Sequence, residues 1–198
     1  MSFSGQSTII LFEGKLCVLK YPNSSAKLTQ LVDEIGMYSK FQNYPQLYHF
    51  IPKIVGCSPN ENYIVIEYVG TSLNHISNLS FESAKESIFT CLLGFLTIVQ
   101  YNFIHGDINA NNITIRRLNR KVVIKLEINK EIKFILLNKC TTHFIDFGLS
   151  KQYSTNVISL IQKDIDRTIE ILKTICSKTI INIWDDKNIE LKNNLKIC

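Results

Sequence analysis

One stretch limits the fold more than any other: an apolar helix that runs straight into a polar, asparagine-rich segment. From Ser80 to about residue 102, Ile88, Leu92, Phe95 and Val99 recur at helical period. Ser80 is suited to cap this helix, and Glu82 sits favourably in its first turn. Directly after it comes FIHGDINANNITI, residues 103–115, with His105, then Asp107, then Asn112 five residues further on. A plain turn between helix and strand is one reading. The other is a loop built for chemistry: a carboxylate that accepts a hydroxyl proton and an amide oxygen that ligates magnesium, a hard cation.

The chain before this segment reads as a small β-rich unit. Residues 8–20, TIILFEGKLCVLK, form two strands joined at Glu13-Gly14. Residues 26–41 place Leu28, Leu31, Val32, Ile35, Tyr38 and Phe41 on one helical face. YIVIEYV, residues 63–69, is a buried strand ending at Gly70. After the polar segment come the short β-rich runs ITIRR, VVIKLEI, IKFILL and THFID. A helix over about 155–175 follows, with Ile158, Ile161, Ile165, Ile169 and Leu172 on one side. The last residues, WDDKNIELKNNLKIC, read as a peripheral helix or a loose tail. The order of elements predicts an α+β, bilobal architecture in a single domain, residues 1–198. Residues 1–69 form a minimal N-lobe. Residues 70–198 form a truncated, mainly helical C-lobe with a β-ribbon inserted at about 116–139.

Lys20 ends an apolar strand and Glu34 lies on the next helix; each is ordinary alone. As an ion pair they could aim a cation at phosphates, which is the positioning that phosphoryl transfer requires. Asp33 is the fallback for Glu34. FIDFGLS puts Asp146 at a strand end before Phe-Gly, where a carboxylate can bridge a metal to phosphate.

Taken in order, a strand Lys, a helix Glu, an apolar strand with EYVG, a long helix, H-x-D-x-x-x-x-N and then D-F-G resemble the protein kinase superfamily over about residues 5–175. GQST, EYVG, HGD and IDFGLS, with the short segment after D-F-G, are similar to the KEOPS-associated small atypical Ser/Thr kinase family. Small viral and haspin-like Ser/Thr kinases are the second match. The resemblance implies a bilobal kinase fold, ATP and Mg2+ as cofactors, and phosphoryl transfer to Ser/Thr hydroxyls of proteins. It assigns Lys20 to the ATP phosphates with Glu34 as its partner, and the backbone of Glu67, Tyr68 and Val69 to adenine. Gly5, Gln6, Ser7 and Thr8 would cradle phosphate, Asp107 would be the catalytic base, and Asn112 and Asp146 would ligate magnesium. A nucleotide-binding pseudokinase scaffold and a small-molecule phosphotransferase are the alternatives.

Four departures from the kinase pattern matter. Only Gly5 remains of the Gly-rich loop. Gly106 stands where the Arg of H-R-D usually receives a phosphorylated loop, so loop phosphorylation should not control activity. No A-P-E follows D-F-G, and 15 residues separate Gly148 from Asp164, which is expected to brace the catalytic loop. Asn112 and Asp146 are separated by 33 residues, room for the ribbon. That insert carries Arg116, Arg117, Arg120, Lys121, Lys125, Lys130, Lys133 and Lys139 against Glu127 and Glu131, and would present charge to an acidic partner protein or RNA.

Six scattered cysteines without a C-x-x-C pair read as reduced core thiols. His49, His75 and His143 have no ligand spacing. No signal peptide is visible, and the longest apolar run, Ile88 to Val99, is too short to cross a bilayer. These features predict the cytosol, the nucleus or, for a virus-borne chain, the host cytoplasm, with no membrane partner.

Overall fold

The computed structural model describes residues 6–58, 62–128, 131–154 and 158–194. The first part is a four-stranded antiparallel sheet. Strands β1 (Gln6–Phe12) and β2 (Lys15–Tyr21) form a hairpin. Its turn uses Glu13 at φ 48° and Gly14 at φ 74°, the paired left-handed geometry that a two-residue hairpin needs. Strands β3 (Ile54–Ser58) and β4 (Tyr63–Glu67) complete the order β1-β2-β4-β3. Helix α1 (Ser25–Phe41) starts where the Ser24 Oγ accepts the Lys27 N–H. Its buried face is Leu31, Glu34, Met37, Tyr38 and Phe41. A carboxylate in that row is the only charge on it, and it marks the functional site.

The second part is built on α2 (Phe81–Gln100), capped by the Ser80 Oγ, which accepts the Ser83 N–H. Gly94 lets α2 approach closely: a β-carbon there would lie 2.9 Å from the Phe144 ring and 3.0 Å from Phe50. The two-residue strand β5 (Thr71–Ser72), β7 (Ile113–Arg117) and β10 (Cys140–Phe144) form a sheet in the order β10-β7-β5. The short strands β6 (Phe103–Ile104) and β11 (Lys151–Gln152) pair separately. A hairpin of β8 (Val122–Ile128) and β9 (Glu131–Leu137) extends from the β7–β10 pair. The last element, α3 (Ile158–Asn194), packs on α2.

Two hydrophobic clusters result. The main one joins Leu31, Tyr38 and Phe41 of α1 to Phe95 and Ile98 of α2, Phe103, Phe144 and Phe147. A smaller one holds Phe50, Ile124, Leu126 and Leu137 under the hairpin. Alternate β8 residues point inward, Ile124 and Leu126, while Val123 and Lys125 point outward.

The α+β, kinase-like architecture agrees with the sequence reading; several details differ. The ribbon is shorter: Arg116 and Arg117 belong to β7, and the free hairpin begins at Val122. Lys130 lies outside the described residues. Strand β4 ends at Glu67, two residues early, because residues 68–70 turn away between the two parts. Helix α3 runs to Asn194, and its inward row is Asp164, Thr168, Ile171 and Ile175. Ile169, expected inside, is 45% exposed, because the row is set by Asp164 rather than by isoleucine content. Cys17, Cys91 and Cys140 are buried, but Cys57 and Cys176 are exposed and are not core thiols. Among the described residues, no helix is long and apolar enough to cross a membrane.

Candidate active site

Lys20 and Glu34 meet at the centre of the molecule. Lys20 Nζ lies 2.7 Å from Glu34 Oε1, and both side chains are buried. Asp146 Oδ1 is 3.9 Å from the same ammonium. Asp33 is exposed, so Glu34 is the partner. Burial pushes the Glu34 carboxyl above its usual range, and the nearby Asp146 adds to this; Lys20 and the Phe147 N–H oppose it. A buried ion pair costs desolvation free energy that a packed apolar pair would not. Its position beside Asp146, rather than fold stability, is what accounts for it.

The loop over residues 105–112 is held from both sides. The Asp164 carboxylate accepts the His105 N–H at 2.8 Å and the Gly106 N–H at 3.2 Å. The Ser150 hydroxyl donates to the His105 carbonyl at 2.8 Å. His105 itself is buried, and burial lowers its pKa. Its Nδ1 accepts the Asp107 N–H at 3.3 Å and its Nε2 donates to the Ile145 carbonyl at 3.0 Å. This pair of contacts fixes one neutral tautomer. His105 therefore ties the loop to the strand that delivers Asp146, a positioning task.

Asn112 is buried, and its Nδ2 donates both to the Asp107 carbonyl at 2.9 Å and to Asp107 Oδ2 at 3.0 Å. The amide nitrogen is thereby occupied, which leaves its oxygen as the group able to accept or ligate. The Asn112 carbonyl accepts the Ile145 N–H at 2.9 Å, so Asn112 and Asp146 belong to adjacent, hydrogen-bonded segments. Asp146 takes up the left-handed region at φ 66°. Asn109 turns inward and donates to the Asp107 carbonyl at 3.1 Å.

A cavity of about 320 Å3 opens beside this cluster, lined by Ser7 and Thr8, Lys20, the connecting segment Glu67–Gly70, Thr114 and Ile145. Gln6, Asp107, Asn112 and Asp146 do not line it. Gly5 lies outside the described residues. Gln6, Ser7 and Thr8 are in strand β1, with Ser7 directly opposite Lys20. The Glu67 N–H donates to the Lys53 carbonyl and the Tyr68 N–H to the Leu16 carbonyl, which anchors the segment to the sheet.

Two further residues shape this wall: Thr114, which carries no sequence signal, and Gly70, legible in the sequence only as the end of a strand. The Thr114 hydroxyl donates to the Val69 carbonyl at 3.1 Å from the opposite side. Gly70, at φ 110°, sits where a β-carbon would be 2.4 Å from the Ile115 carbonyl oxygen. Both arise from β7 passing behind the connecting segment, a contact between residues 45 positions apart.

The profile of the ABC1 atypical kinase-like domain matches residues 33–172. No curated protein matches the sequence. Among solved structures, the crystal structure of the Rio2 kinase from Chaetomium thermophilum is similar, with a TM-score of 0.58 and 18% identity. The match covers 87% of this chain and 54% of that one, so the chain spans about half of that protein's length. At that identity the likeness is one of fold.

Proposed function

The chain belongs to the ABC1 atypical kinase-like domain family, and from that premise we propose that it transfers a phosphoryl group from ATP to Ser or Thr hydroxyls of proteins, with magnesium. The observation that supports this best is the buried Lys20–Glu34 pair at 2.7 Å with Asp146 at 3.9 Å. Three charges held together in a largely desolvated pocket are costly to keep unless they serve a ligand.

The donor set fits the proposed cofactors. Asp146 and the Asn112 amide oxygen are hard oxygen donors suited to magnesium, and the cation would neutralise phosphate charge. Lys20, oriented by Glu34, would hold the phosphates. Glu67, Tyr68 and Val69 would receive the adenine along the cavity wall. Gln6, Ser7 and Thr8 would stand over the phosphates as an open strand, with Gly5 preceding them. Asp107 would accept the proton of the incoming hydroxyl. Its Oδ2 is held by Asn112 Nδ2, which orients the carboxylate while leaving Oδ1 for the hydroxyl.

The test is radiolabelled ATP with magnesium, with the protein alone and with casein as a generic acceptor. Label should appear on Ser or Thr, and should vanish with EDTA and with Asp146→Ala. Asp107→Ala should cut transfer by about a hundredfold or more while ATP binding persists. Transfer that survives Asp107→Ala would sink the assigned role. Nucleotide binding without transfer in the native protein would favour a scaffold that holds nucleotide.

A further inference from the structure

A second and larger hollow lies on the other side of the segment 67–70. It has a volume of about 1110 Å3 and shares only that segment's wall and His75 with the cavity beside Lys20. Small-molecule pockets run to roughly 1,000 Å3 and are more enclosed by apolar walls. This one is an open groove between the two parts of the molecule.

Its rim is cationic from both sides. Lys15 and Lys53 stand on the sheet side, and Arg116 and Arg117 on strand β7. All four are exposed. Among the described residues the single carboxylate on its wall is Glu67, and Arg116 Nη1 already holds it at 2.8 Å. Among the described residues, no carboxylate forms an ion pair with Lys15, Lys53 or Arg117. The floor is aliphatic: Leu16, 56% exposed, with Ile54 and Ile76 half-buried. The floor is also firm, because the Lys178 ammonium of α3 donates to the Ile76 carbonyl.

We propose that this groove docks an extended protein segment in which acidic residues flank one or two aliphatic ones. Charge complementarity selects the acids: among the described residues three rim cations have no internal counter-charge, and a partner's carboxylates would supply it. The exposed Leu16 and its neighbours select the aliphatic side chains, whose burial would supply the affinity that rim charges alone do not. A nucleic-acid strand fits less well. Single-stranded binding relies on a series of stacking aromatic rings, and the lining offers two, Tyr68 and the small imidazole of His75. The proposal concerns binding only and stands apart from phosphoryl transfer.

The experiment is selection of a random twelve-residue peptide library on the intact protein, followed by affinity measurement of the enriched peptides by fluorescence anisotropy. Enriched sequences should combine Asp or Glu with Leu, Ile or Val. Their affinity should fall about tenfold or more with Lys53→Glu/Arg117→Glu, and between low and physiological salt. Lys15→Glu, a single change on the sheet-side rim, provides an independent variant should the double one melt early. Enrichment without acidic bias, or equal binding to native and both variants, would overturn the proposal. So would a labelled oligouridylate that binds more tightly than any selected peptide and loses affinity with the same substitutions, since that outcome assigns the groove to RNA.

Discussion

Gly106 has φ 82°, and a β-carbon on it would lie 2.6 Å from the Leu149 carbonyl oxygen. Any side chain there must strain the backbone and push the segment that follows Phe147. Gly106→Ala should therefore destabilise by about 2 kcal/mol, read by urea unfolding; an unchanged midpoint would show that the segment yields freely. This explains more than the missing arginine did. No residue with a side chain fits, so a phosphate receptor cannot be restored by one substitution. A second prediction concerns Glu34, whose carboxyl is raised by burial and opposed by Lys20. Lys20→Met removes the opposing cation. A group whose folded-state pKa is raised contributes stability below its unfolded value and loses it as pH rises through the folded value. The variant should thus lose several kcal/mol near pH 8 and progressively less at a pH low enough to protonate Glu34. Equal losses at high and low pH would show that Glu34 is not left charged and buried. The polar cluster was legible because this chemistry demands fixed residue types at short, fixed spacings. Thr114 and the need for glycine at 106 were not, because each answers a backbone that approaches from far along the chain.

At the scale of elements, one side chain anchors the turn that leads out of the hairpin β8–β9. Glu86 of α2 accepts the N–H groups of Asn138, Lys139 and Cys140 at 2.8–3.2 Å, where the chain turns from β9 into β10. Burial alone would raise its carboxyl, but the three amides, Cys140 foremost, hold it below the usual range. A depressed carboxylate contributes stability above its unfolded pKa and loses it as pH falls through the folded one. Glu86→Ala should therefore cost about 1–3 kcal/mol at neutral pH, and the gap to the native protein should close on acidification below the carboxylate range. Calorimetric melts across that range would show it; a gap that stays constant would mean that packing, not the charge, holds the turn. Both strands of the hairpin were legible from their β-rich composition and α2 from its period, whereas β3, β5, β6 and β11 were not legible. Nor was the inward face of α3. Hydrophobic period selects Ile161, Ile165 and Ile169, yet Asp164 and Thr168 point inward, the Thr168 hydroxyl donating to the Asp164 carbonyl at 2.8 Å. A brace that needs a buried carboxylate overrides the apolar stripe; Asp164 was legible in that role from its place after D-F-G, but the turn of the helix that it imposes was not.

For the whole molecule the question is what keeps its two parts in register across residues 67–71. Three devices cross there. The Arg116–Glu67 pair is short at 2.8 Å, but its side chains are 47% and 34% exposed. The Thr114 hydroxyl donates to the Val69 carbonyl in a buried setting. The backbone at Gly70 passes so close to Ile115 that only a hydrogen fits, and Thr71 then pairs with Ile115 in the sheet. Solvent screens the first, so Arg116→Ala should cost at most about 1 kcal/mol. Thr114→Val leaves a buried carbonyl without its donor and should cost about 1–2 kcal/mol. Gly70→Ala adds positive-φ strain to a contact of 2.4 Å with backbone, which cannot move without parting β7 from the connecting segment. That variant should lose about 3 kcal/mol or more, and ATP affinity with it, because the wall of the cavity beside Lys20 would shift. The order Gly70, Thr114, Arg116 in urea unfolding is the expected outcome. If Arg116→Ala proves the costliest, the parts are held by surface charge, and their register should then loosen in salt, which close backbone packing would resist.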